Sequence, residues 1–295
     1  MLENTPPEFI DIHAHLNFEA FASDREEVIL RAREQKTWTI NVGTQKETSA
    51  SALKLAQKYS EGVYAIVGLH PIHTSASYHD KEELGDEGKA FTSHGETFDY
   101  DFYKKLASDP KVVAIGECGL DYFRADPATA QIQKEAFIAQ ISLAKELGKP
   151  LMLHIRNAPT SKSAPQKSAD VSKSASAYKD AYDILKEYPE VKGNVHFFAG
   201  TTDEAKMFLS LGFTISFTGV ITFTHDYDEV IKNIPLDMIM SETDCPYITP
   251  VPYRGKRNEP SYVEVVVKRI AEIKGEDLET VKKALVSNAF RVFKL

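Results

Sequence analysis

The chain has 295 residues, which is enough to bury a sizeable core in one large domain or two small ones. Its composition, 42% hydrophobic and 26% charged, is ordinary for a globular protein, and no apolar run approaches the roughly 20 residues that span a bilayer. The net charge of −8 argues against non-specific nucleic-acid binding through the overall field, although a local basic patch beside bound metal could still hold such a substrate.

The N-terminal residues 1–7 contain neither a basic region nor an apolar core, so they do not resemble a secretory signal. The chain has only two cysteines, Cys118 and Cys245, which are too few for a disulfide framework. We interpret both as small buried residues. A protein of the reducing cytoplasm is therefore expected.

Short apolar runs rich in β-branched residues alternate with longer segments of helical periodicity along the whole chain. Eight runs are predicted as strands: residues 9–13, 38–42, 63–67, 112–116, 150–154, 194–197, 213–217 and 238–241. Between the fourth and fifth strands, the spacing of apolar residues predicts a helix over 129–147, which ends at Gly148 and Pro150. Eight βα units predict a single-domain α/β fold, the (β/α)₈ TIM barrel, with a doubly wound open sheet as the structural alternative.

The barrel is favoured because residues that could carry chemistry end five different strands between positions 13 and 244. Closure of a barrel brings the carboxyl ends of all its strands around one pocket. Two polar insertions follow strand ends as well: residues 75–97, predicted as a long loop, and residues 159–176, a Ser-, Lys- and Ala-rich stretch. Both would overhang the site, and we expect the second to be mobile.

A set of histidines and carboxylates at the strand ends predicts a metal site. His13 and His15 are two residues apart at the end of the first strand, so period-two geometry points both to the same side. Imidazole nitrogens are borderline ligands for zinc and similar divalent ions. Glu117, flanked by glycines after the fourth strand, is poorly explained by core packing, and its two oxygens can bridge two ions.

Further candidates end the later strands. His154 closes the fifth predicted strand, and His196 lies in the sixth. Asp244, after the last strand, can bind metal and accept a proton from the attacking water. Each histidine alone is more often a hydrogen-bonded core residue, but together with the pair and the glutamate they predict one site. The predicted ligands are six: His13, His15, Glu117, His154, His196 and Asp244.

Other polar residues near the strand ends have two interpretations each. Asp121 is a turn residue or has a direct role, and Glu242 holds a ligand's second nitrogen or forms a stabilising salt bridge. His70 could hydrogen-bond a substrate phosphate without binding metal. Cations after the fifth and eighth strands are solvated surface charges or phosphate contacts: Arg156, Arg254, Lys256 and Arg257. His70, Arg156 and Arg254 are the predicted substrate-binding residues.

Several motifs resemble those of the TatD family of metal-dependent deoxyribonucleases, within the amidohydrolase-like TIM barrels. The match covers nearly the whole chain and is specific because its motifs occur together. They are Ile10-Asp11-Ile12-His13-Ala14-His15, Gly68-Leu69-His70-Pro71, Ile115-Gly116-Glu117-Cys118-Gly119-Leu120-Asp121-Tyr122, Pro150-Leu151-Met152-Leu153-His154-Ile155-Arg156, Ser241-Glu242-Thr243-Asp244-Cys245-Pro246-Tyr247 and Pro252-Tyr253-Arg254-Gly255-Lys256-Arg257-Asn258-Glu259-Pro260.

The resemblance implies a two-metal site in which Glu117 bridges the ions. His13, His15 and Asp244 would complete one ion's ligands, and His154 and His196 the other's. The family is described as Mg²⁺-dependent DNases, often 3′–5′ exonucleases, whereas His-rich ligation favours Zn²⁺, Mn²⁺ or Ni²⁺. The substrate implied is DNA, single-stranded or at an end, and a monomer is favoured.

Our hypothesis is hydrolysis of a phosphodiester with two bridged divalent cations and Asp244 as the general base. The same site could hydrolyse another ester or an amide, such as an aminoacyl ester, a lactone or a cyclic amide. From a different class, the protein could be a non-catalytic metal-binding scaffold, which retention of the whole ligand set with its carboxylate base argues against.

Overall fold

A computed structural model describes residues 6–79, 91–124, 127–159 and 176–295. Ten strands lie in these ranges: β1 (Phe9–Ala14), β2 (Thr37–Val42), β3 (Val63–Val67), β4 (Ser77–His79), β5 (Phe91–Ser93), β6 (Val112–Asp121), β7 (Leu151–Arg156), β8 (Gly193–Val195), β9 (Thr214–Phe217) and β10 (Ile239–Ser241). All eight predicted strands are present. β4 and β5 pair antiparallel inside the first predicted insertion, where only a loop was expected. Of the second insertion, residues 160–175 lie outside the described ranges.

Eight strands form one parallel sheet in the order β1-β2-β3-β6-β7-β8-β9-β10. The two ends of this sheet meet through a parallel bridge between Ala14 and Cys245. Two backbone hydrogen bonds reinforce it, from His15 N to Cys245 O at 3.0 Å and from Asp244 N to His13 O at 2.9 Å. A doubly wound sheet would reverse its strand order and keep two open edges. The (β/α)₈ barrel is therefore confirmed and the open-sheet alternative is wrong.

Helices follow the strands around the barrel: α1 (Arg25–Glu34), α2 (Lys46–Ala56), α3 (Tyr100–Ala107), α4 (Ala130–Leu147), α5 (Ala177–Leu185), α6 (Thr202–Ser210), α7 (Asp228–Asn233), α8 (Val263–Lys274) and α9 (Leu278–Phe293). The helix predicted over 129–147 is α4. It ends as expected, because Gly148 adopts a left-handed conformation at φ 61° that suits glycine. Among the described helices, none has the length and apolar character needed to traverse a lipid bilayer.

The last helix, α9, closes the amino-terminal end of the barrel. Asn288 Nδ2 donates to the carbonyl oxygens of Leu236 and Ile239, at 2.9 and 2.8 Å, where β10 begins. The ring of Phe290 packs 5.5 Å from that of Trp38, at the start of β2. Because this end is covered by packed side chains, the carboxyl ends of the strands form the remaining mouth, where the loops that carry the predicted ligands begin.

Candidate metal centre

The barrel brings the six predicted ligands together at its carboxyl end. Glu117 lies at the centre: its Oε1 is 2.9 Å from His154 Nδ1 and 3.1 Å from His196 Nε2, and its Oε2 is 3.4 Å from His13 Nε2. The other carboxylate, Asp244, places its Oδ1 3.4 Å from His15 Nε2 and 3.8 Å from His13 Nε2. All six side chains are at most 19% exposed. Residues from five segments of the chain therefore share one buried pocket.

Glu117 does not end a strand, as the sequence suggested, but lies within β6, which continues to Asp121. The pairing of β6 with β7 shifts register between Ile115 and Cys118. Two glycines with positive φ permit this irregularity, Gly116 at 153° and Gly119 at 138°. A Cβ on Gly119 would lie 2.1 Å from the carbonyl oxygen of His154, so only glycine allows the two strands to approach this closely. The irregular segment turns the Glu117 carboxylate into the pocket.

Hydrogen-bond partners outside the pocket orient the imidazole rings. His15 Nδ1 lies 2.9 Å from the carbonyl oxygen of Val42, which can only accept, so this nitrogen carries the ring hydrogen. His196 Nδ1 lies 3.1 Å from Glu242 Oε1, and His154 Nε2 lies 2.9 Å from Asp121 Oδ2. In each ring the second nitrogen then presents its lone pair to the centre.

Glu242 and Asp121 thus have the supporting positions that the sequence left open. Glu242 is fully buried, and its carboxylate also accepts from Phe197 N at 2.6 Å and from Ser216 Oγ at 2.8 Å. Asp121 accepts through Oδ1 from the backbone nitrogens of Phe123 and Arg124, both at 2.8 Å. Each carboxylate therefore fixes the ring of a predicted ligand and the backbone that follows a strand.

His70 differs from the four histidines predicted as ligands. Its Nε2 lies 3.3 Å from Glu117 Oε1, so His70, Glu117 and His154 form one geometrically compact group. However, His70 Nδ1 accepts a hydrogen bond from Ile72 N at 3.1 Å, which places the ring hydrogen on Nε2. A protonated Nε2 donates and cannot ligate a metal. His70 accordingly suits the role of a hydrogen-bond donor at the pocket.

Charges within the pocket shift the pKa values of its groups. Burial alone would raise the pKa of Glu117, but the imidazoles of His70 and His196 hold it well below its usual range. Burial lowers the pKa of His13, and the neighbouring His196 lowers it further. Burial raises the pKa of the Cys118 thiol well above its usual range, so this cysteine beside Glu117 stays protonated and inert.

The residues present fit divalent cations. Imidazole nitrogens and carboxylate oxygens converge within 4.8 Å in three groups: His13, His15 and Asp244; His70, Glu117 and His154; and His13, His196 and Glu242. His13 Nε2 faces the carboxylates of both Glu117 and Asp244, at 3.4 and 3.8 Å, which places this nitrogen among the converging donors. Glu242 and His70 are already held by the hydrogen bonds given above. The donors that remain are the six predicted ligands. The site is therefore compatible with bound metal.

The predicted substrate-binding cations lie at the rim, outside this pocket. Arg156 ends β7, and its guanidinium carbon stacks 3.8 Å from the ring centre of Phe123. Arg254 is exposed, donates from Nη1 to Thr249 O at 3.0 Å, and stacks 4.3 Å above Phe223. Arg257 faces α1 instead, where it bonds Ala20 O and pairs with Asp24 at 2.5 Å. Of the basic cluster 254–257, Arg257 is thus a structural residue.

No role was predicted for Asp11, whose hydrogen bonds join β1 to the segment before Asp244. Its Oδ1 accepts from Thr243 N at 2.9 Å and from His13 N at 3.2 Å, and its Oδ2 accepts from Thr243 Oγ1 at 2.5 Å. Asp11 is fully buried. A carboxylate inside an otherwise apolar strand was the signal that could have revealed it.

Comparison with known proteins agrees with this geometry. A family model described as TatD related DNase matches residues 10–294. The "Uncharacterized metal-dependent hydrolase YabD" of Bacillus subtilis (strain 168) is 38% identical over 290 residues, or 97% of this chain and 98% of that protein. The "3'-5' ssDNA/RNA exonuclease TatD" of Rahnella sp. (strain Y9602) is 32% identical over 293 residues, covering 97% and 98%.

Solved structures share the barrel. YJJV, a TatD homologue from Escherichia coli k12, matches with a TM-score of 0.77 at 27% identity over 100% of both chains. A phosphotriesterase homology protein from Escherichia coli matches at 12% identity with a TM-score of 0.60, covering 98% of this chain and 99% of its own, which shows the fold alone. With the family model spanning almost the whole sequence, this chain belongs to the TatD-related DNase family.

Proposed function

We propose that this protein is a divalent-metal-dependent phosphodiesterase that degrades a nucleic-acid strand, single-stranded DNA or a strand end, from 3′ to 5′. The observation that carries the proposal is the position of Glu117 between two sets of imidazoles. Its Oε1 faces His154 and His196, and its Oε2 faces His13. A carboxylate with one oxygen toward each set is the arrangement that a bridging ligand of two cations requires.

In this proposal His13, His15, Glu117 and Asp244 would hold one cation, and Glu117, His154 and His196 the other. When bound, such cations polarise a phosphodiester and lower the pKa of the attacking water toward about 7. Histidine-rich ligation favours Zn²⁺, Mn²⁺ or Ni²⁺ at low concentration, with Mg²⁺ sufficient at higher concentration.

The protein's own groups complete the reaction. Asp244 accepts the proton of the attacking water on a carboxylate oxygen, which it can do because its Oδ1 is turned to the pocket beside His15. His70 donates its Nε2 hydrogen to a phosphate oxygen of the substrate; its Nε2 lies 3.3 Å from Glu117 Oε1 in this structure. Arg156 and Arg254 at the rim attract the flanking phosphates.

Two further expectations remain predictions. The buried free thiols of Cys118 and Cys245 suit a reducing compartment, which we predict to be the cytoplasm. A monomer is predicted, and sedimentation of the purified chain measures it.

The experiment is a hydrolysis assay on metal-stripped protein reconstituted separately with Mg²⁺, Mn²⁺ and Zn²⁺. Substrates are single-stranded DNA labelled at its 5′ or 3′ end, the matching duplex, aminoacyl-tRNA, and a small carboxylic ester. We expect metal-dependent shortening of the single strand from its 3′ end and no cleavage by stripped protein. Hydrolysis of the carboxylic or aminoacyl ester with intact DNA would refute the proposed substrate class.

A further inference from the structure

Two exposed aromatic side chains lie at the carboxyl end of the barrel, each covered by an arginine. Phe123 is 45% exposed and Phe223 is 44% exposed, which makes them the most exposed Phe, Tyr or Trp rings among the side chains that the structure describes. The guanidinium of Arg156 stacks on the first and that of Arg254 on the second. Single exposed apolar side chains are common on protein surfaces, but two phenylalanines at the mouth of one site, each backed by an arginine, point to a ligand.

Phe123 is held directly beside the metal-binding pocket. Asp121 binds His154 Nε2 through Oδ2 at 2.9 Å and accepts from Phe123 N through Oδ1 at 2.8 Å. One carboxylate therefore fixes both a ligand ring and the backbone of the exposed phenylalanine. Arg156, which stacks on that phenylalanine, is only two residues beyond His154 in β7.

The second pair belongs to the loops that follow β9 and β10. Arg254 lies in the loop after Asp244 and is held there by its hydrogen bond to Thr249 O. The loop itself is anchored by Asn258, whose Nδ2 donates to Thr243 O at 2.9 Å and to Tyr247 O at 2.6 Å. The arginine that stacks on Phe223 is therefore presented from a fixed loop that begins at the proposed base.

The barrel order sets the two pairs on different sides of the mouth. The first pair follows β6 and β7, which are fourth and fifth in the closed sheet, and the second follows β9 and β10, which are seventh and eighth. The pairs are thus three strand positions apart in an eight-stranded barrel. A chain that enters between them passes over the pocket that holds Glu117 and Asp244.

The chemistry of both pairs suits an unpaired nucleic-acid strand. Nucleobases stack on aromatic rings with little dependence on sequence, and arginine contributes phosphate contacts and cation–π interaction. In a chain of net charge −8, the two rim arginines supply local positive charge for phosphates. Bases paired in a duplex are stacked on each other and offer no free face.

We propose that Phe123 and Phe223 are stacking platforms for unpaired bases of the substrate strand, with Arg156 and Arg254 holding both the rings and the adjacent phosphates. This assignment rests on the proposed phosphodiesterase function and adds the reason for a single-stranded substrate. Base stacking at two points selects strands with free bases, and the pocket between them receives the phosphodiester.

Binding is measured on the full-length Mn²⁺-loaded protein with a fluorescent phosphorothioate oligothymidylate of about 12 nucleotides, which resists hydrolysis. We expect Phe123→Leu and Phe223→Leu each to weaken binding about tenfold, since loss of one stacked base has an effect of this order. Phe123→Tyr and Phe223→Tyr should restore binding because they keep an aromatic face. Leu30→Ala, which removes a 49% exposed apolar side chain from α1, is the matched control and should bind like the parent.

Two additional measurements separate stacking from other causes. The leucine variants should keep the parent's affinity for Zn²⁺ in competition with a chromogenic chelator, and should bind an abasic strand as weakly as the parent does. Unchanged oligothymidylate binding by both leucine variants overturns the proposal, as does an equal loss with the abasic strand. Sedimentation tests a further outcome. If the parent self-associates and the leucine variants do not, the surface around Phe123 and Phe223 is a contact between copies of this chain, and the stacking assignment is wrong.

The proposed function can fail separately. A parent protein that cleaves carboxylic esters and neither binds the oligothymidylate nor cleaves bis(4-nitrophenyl) phosphate refutes both the phosphodiesterase function and the stacking assignment. A parent that cleaves DNA, with leucine variants that bind and cleave it equally well, refutes the stacking assignment alone.

Discussion

Glu242 binds the outer nitrogen of His196, with its Oε1 3.1 Å from Nδ1, while Ser216 Oγ donates to its other oxygen at 2.8 Å. The ring is held from a second side by His13, whose ring centre stacks at 3.6 Å from that of His196. A carboxylate behind a ligand imidazole fixes the tautomer and increases the basicity of the inner nitrogen. We therefore propose Glu242 as a positioning residue of the candidate metal centre.

The Glu242→Gln variant should bind divalent metal about 10- to 100-fold more weakly, because the neutral amide keeps the shape but loses the charge that increases the basicity of His196. Competition with a chromogenic chelator for Zn²⁺ measures this affinity without any assay of activity. Glu264→Gln, which removes a partly exposed carboxylate that pairs with Lys268 on α8, is the control. Equal zinc affinity in Glu242→Gln and its parent would contradict the positioning role.

The Asp244→Asn variant should lose turnover by about 100-fold or more, the range typical of a general acid–base group, with little loss of folding. Asparagine is the suitable replacement because residue 244 has φ 56°, a left-handed conformation that aspartate and asparagine both tolerate. Steady-state kinetics on a phosphodiester and thermal melting of the same samples measure the two effects. A folded variant with full activity would sink the assignment of Asp244 as the base.

The barrel and most of its site were predictable because their signals are local. Apolar runs of strand length alternate with helical periodicity, and ligand-type residues such as His13 and Asp244 lie at or just beyond run ends. The irregular course of β6 was not predictable. It depends on the register between Cys118 and Leu153 of a neighbouring strand, and such pairing leaves no periodic trace in the sequence.

Long-range contacts also decided the roles of the rim cations. Arg254 and Arg257 are three residues apart in one basic cluster, yet one stacks on Phe223 and the other pairs with Asp24 near the opposite end of the chain. Spacing alone gives both the same interpretation. The two Arg–Phe pairs were not predictable for the same reason, since each joins residues from different segments of the chain.

The Gly119→Ala variant should lower the free energy of unfolding by about 3 kcal/mol, because the new Cβ would meet His154 O at 2.1 Å and the residue has φ 138°. Gly255→Ala is the matched control: this glycine also has positive φ, at 82°, but a Cβ there meets nothing within 4 Å. Gly255→Ala should lower the free energy of unfolding by about 1–2 kcal/mol, from backbone conformation alone. Urea unfolding measures both, and equal losses would show that the contact between β6 and β7 adds nothing.

A last prediction concerns acid stability at the amino-terminal end of the barrel, where Glu8 Oε2 lies 2.8 Å from Lys282 of α9 and Oε1 lies 2.7 Å from Lys36. The two ammonium groups lower the pKa of Glu8 from 4.5 to about 2. A carboxyl group whose pKa is lower in the folded state than in the unfolded state stabilises the fold at pH values above its unfolded-state pKa. This stabilisation is lost as the pH falls from about 4.5 to about 2. The Glu8→Gln variant should therefore lose less stability than the parent does across this interval. Above pH 5 the free energy of unfolding should change with pH in the same way in both.

Because Glu8 is 42% exposed, the effect should also shrink as salt is added. Chemical unfolding at several pH values, in low and high salt, measures this, and identical curves for parent and variant below pH 4.5 would show that the pair does not act on stability.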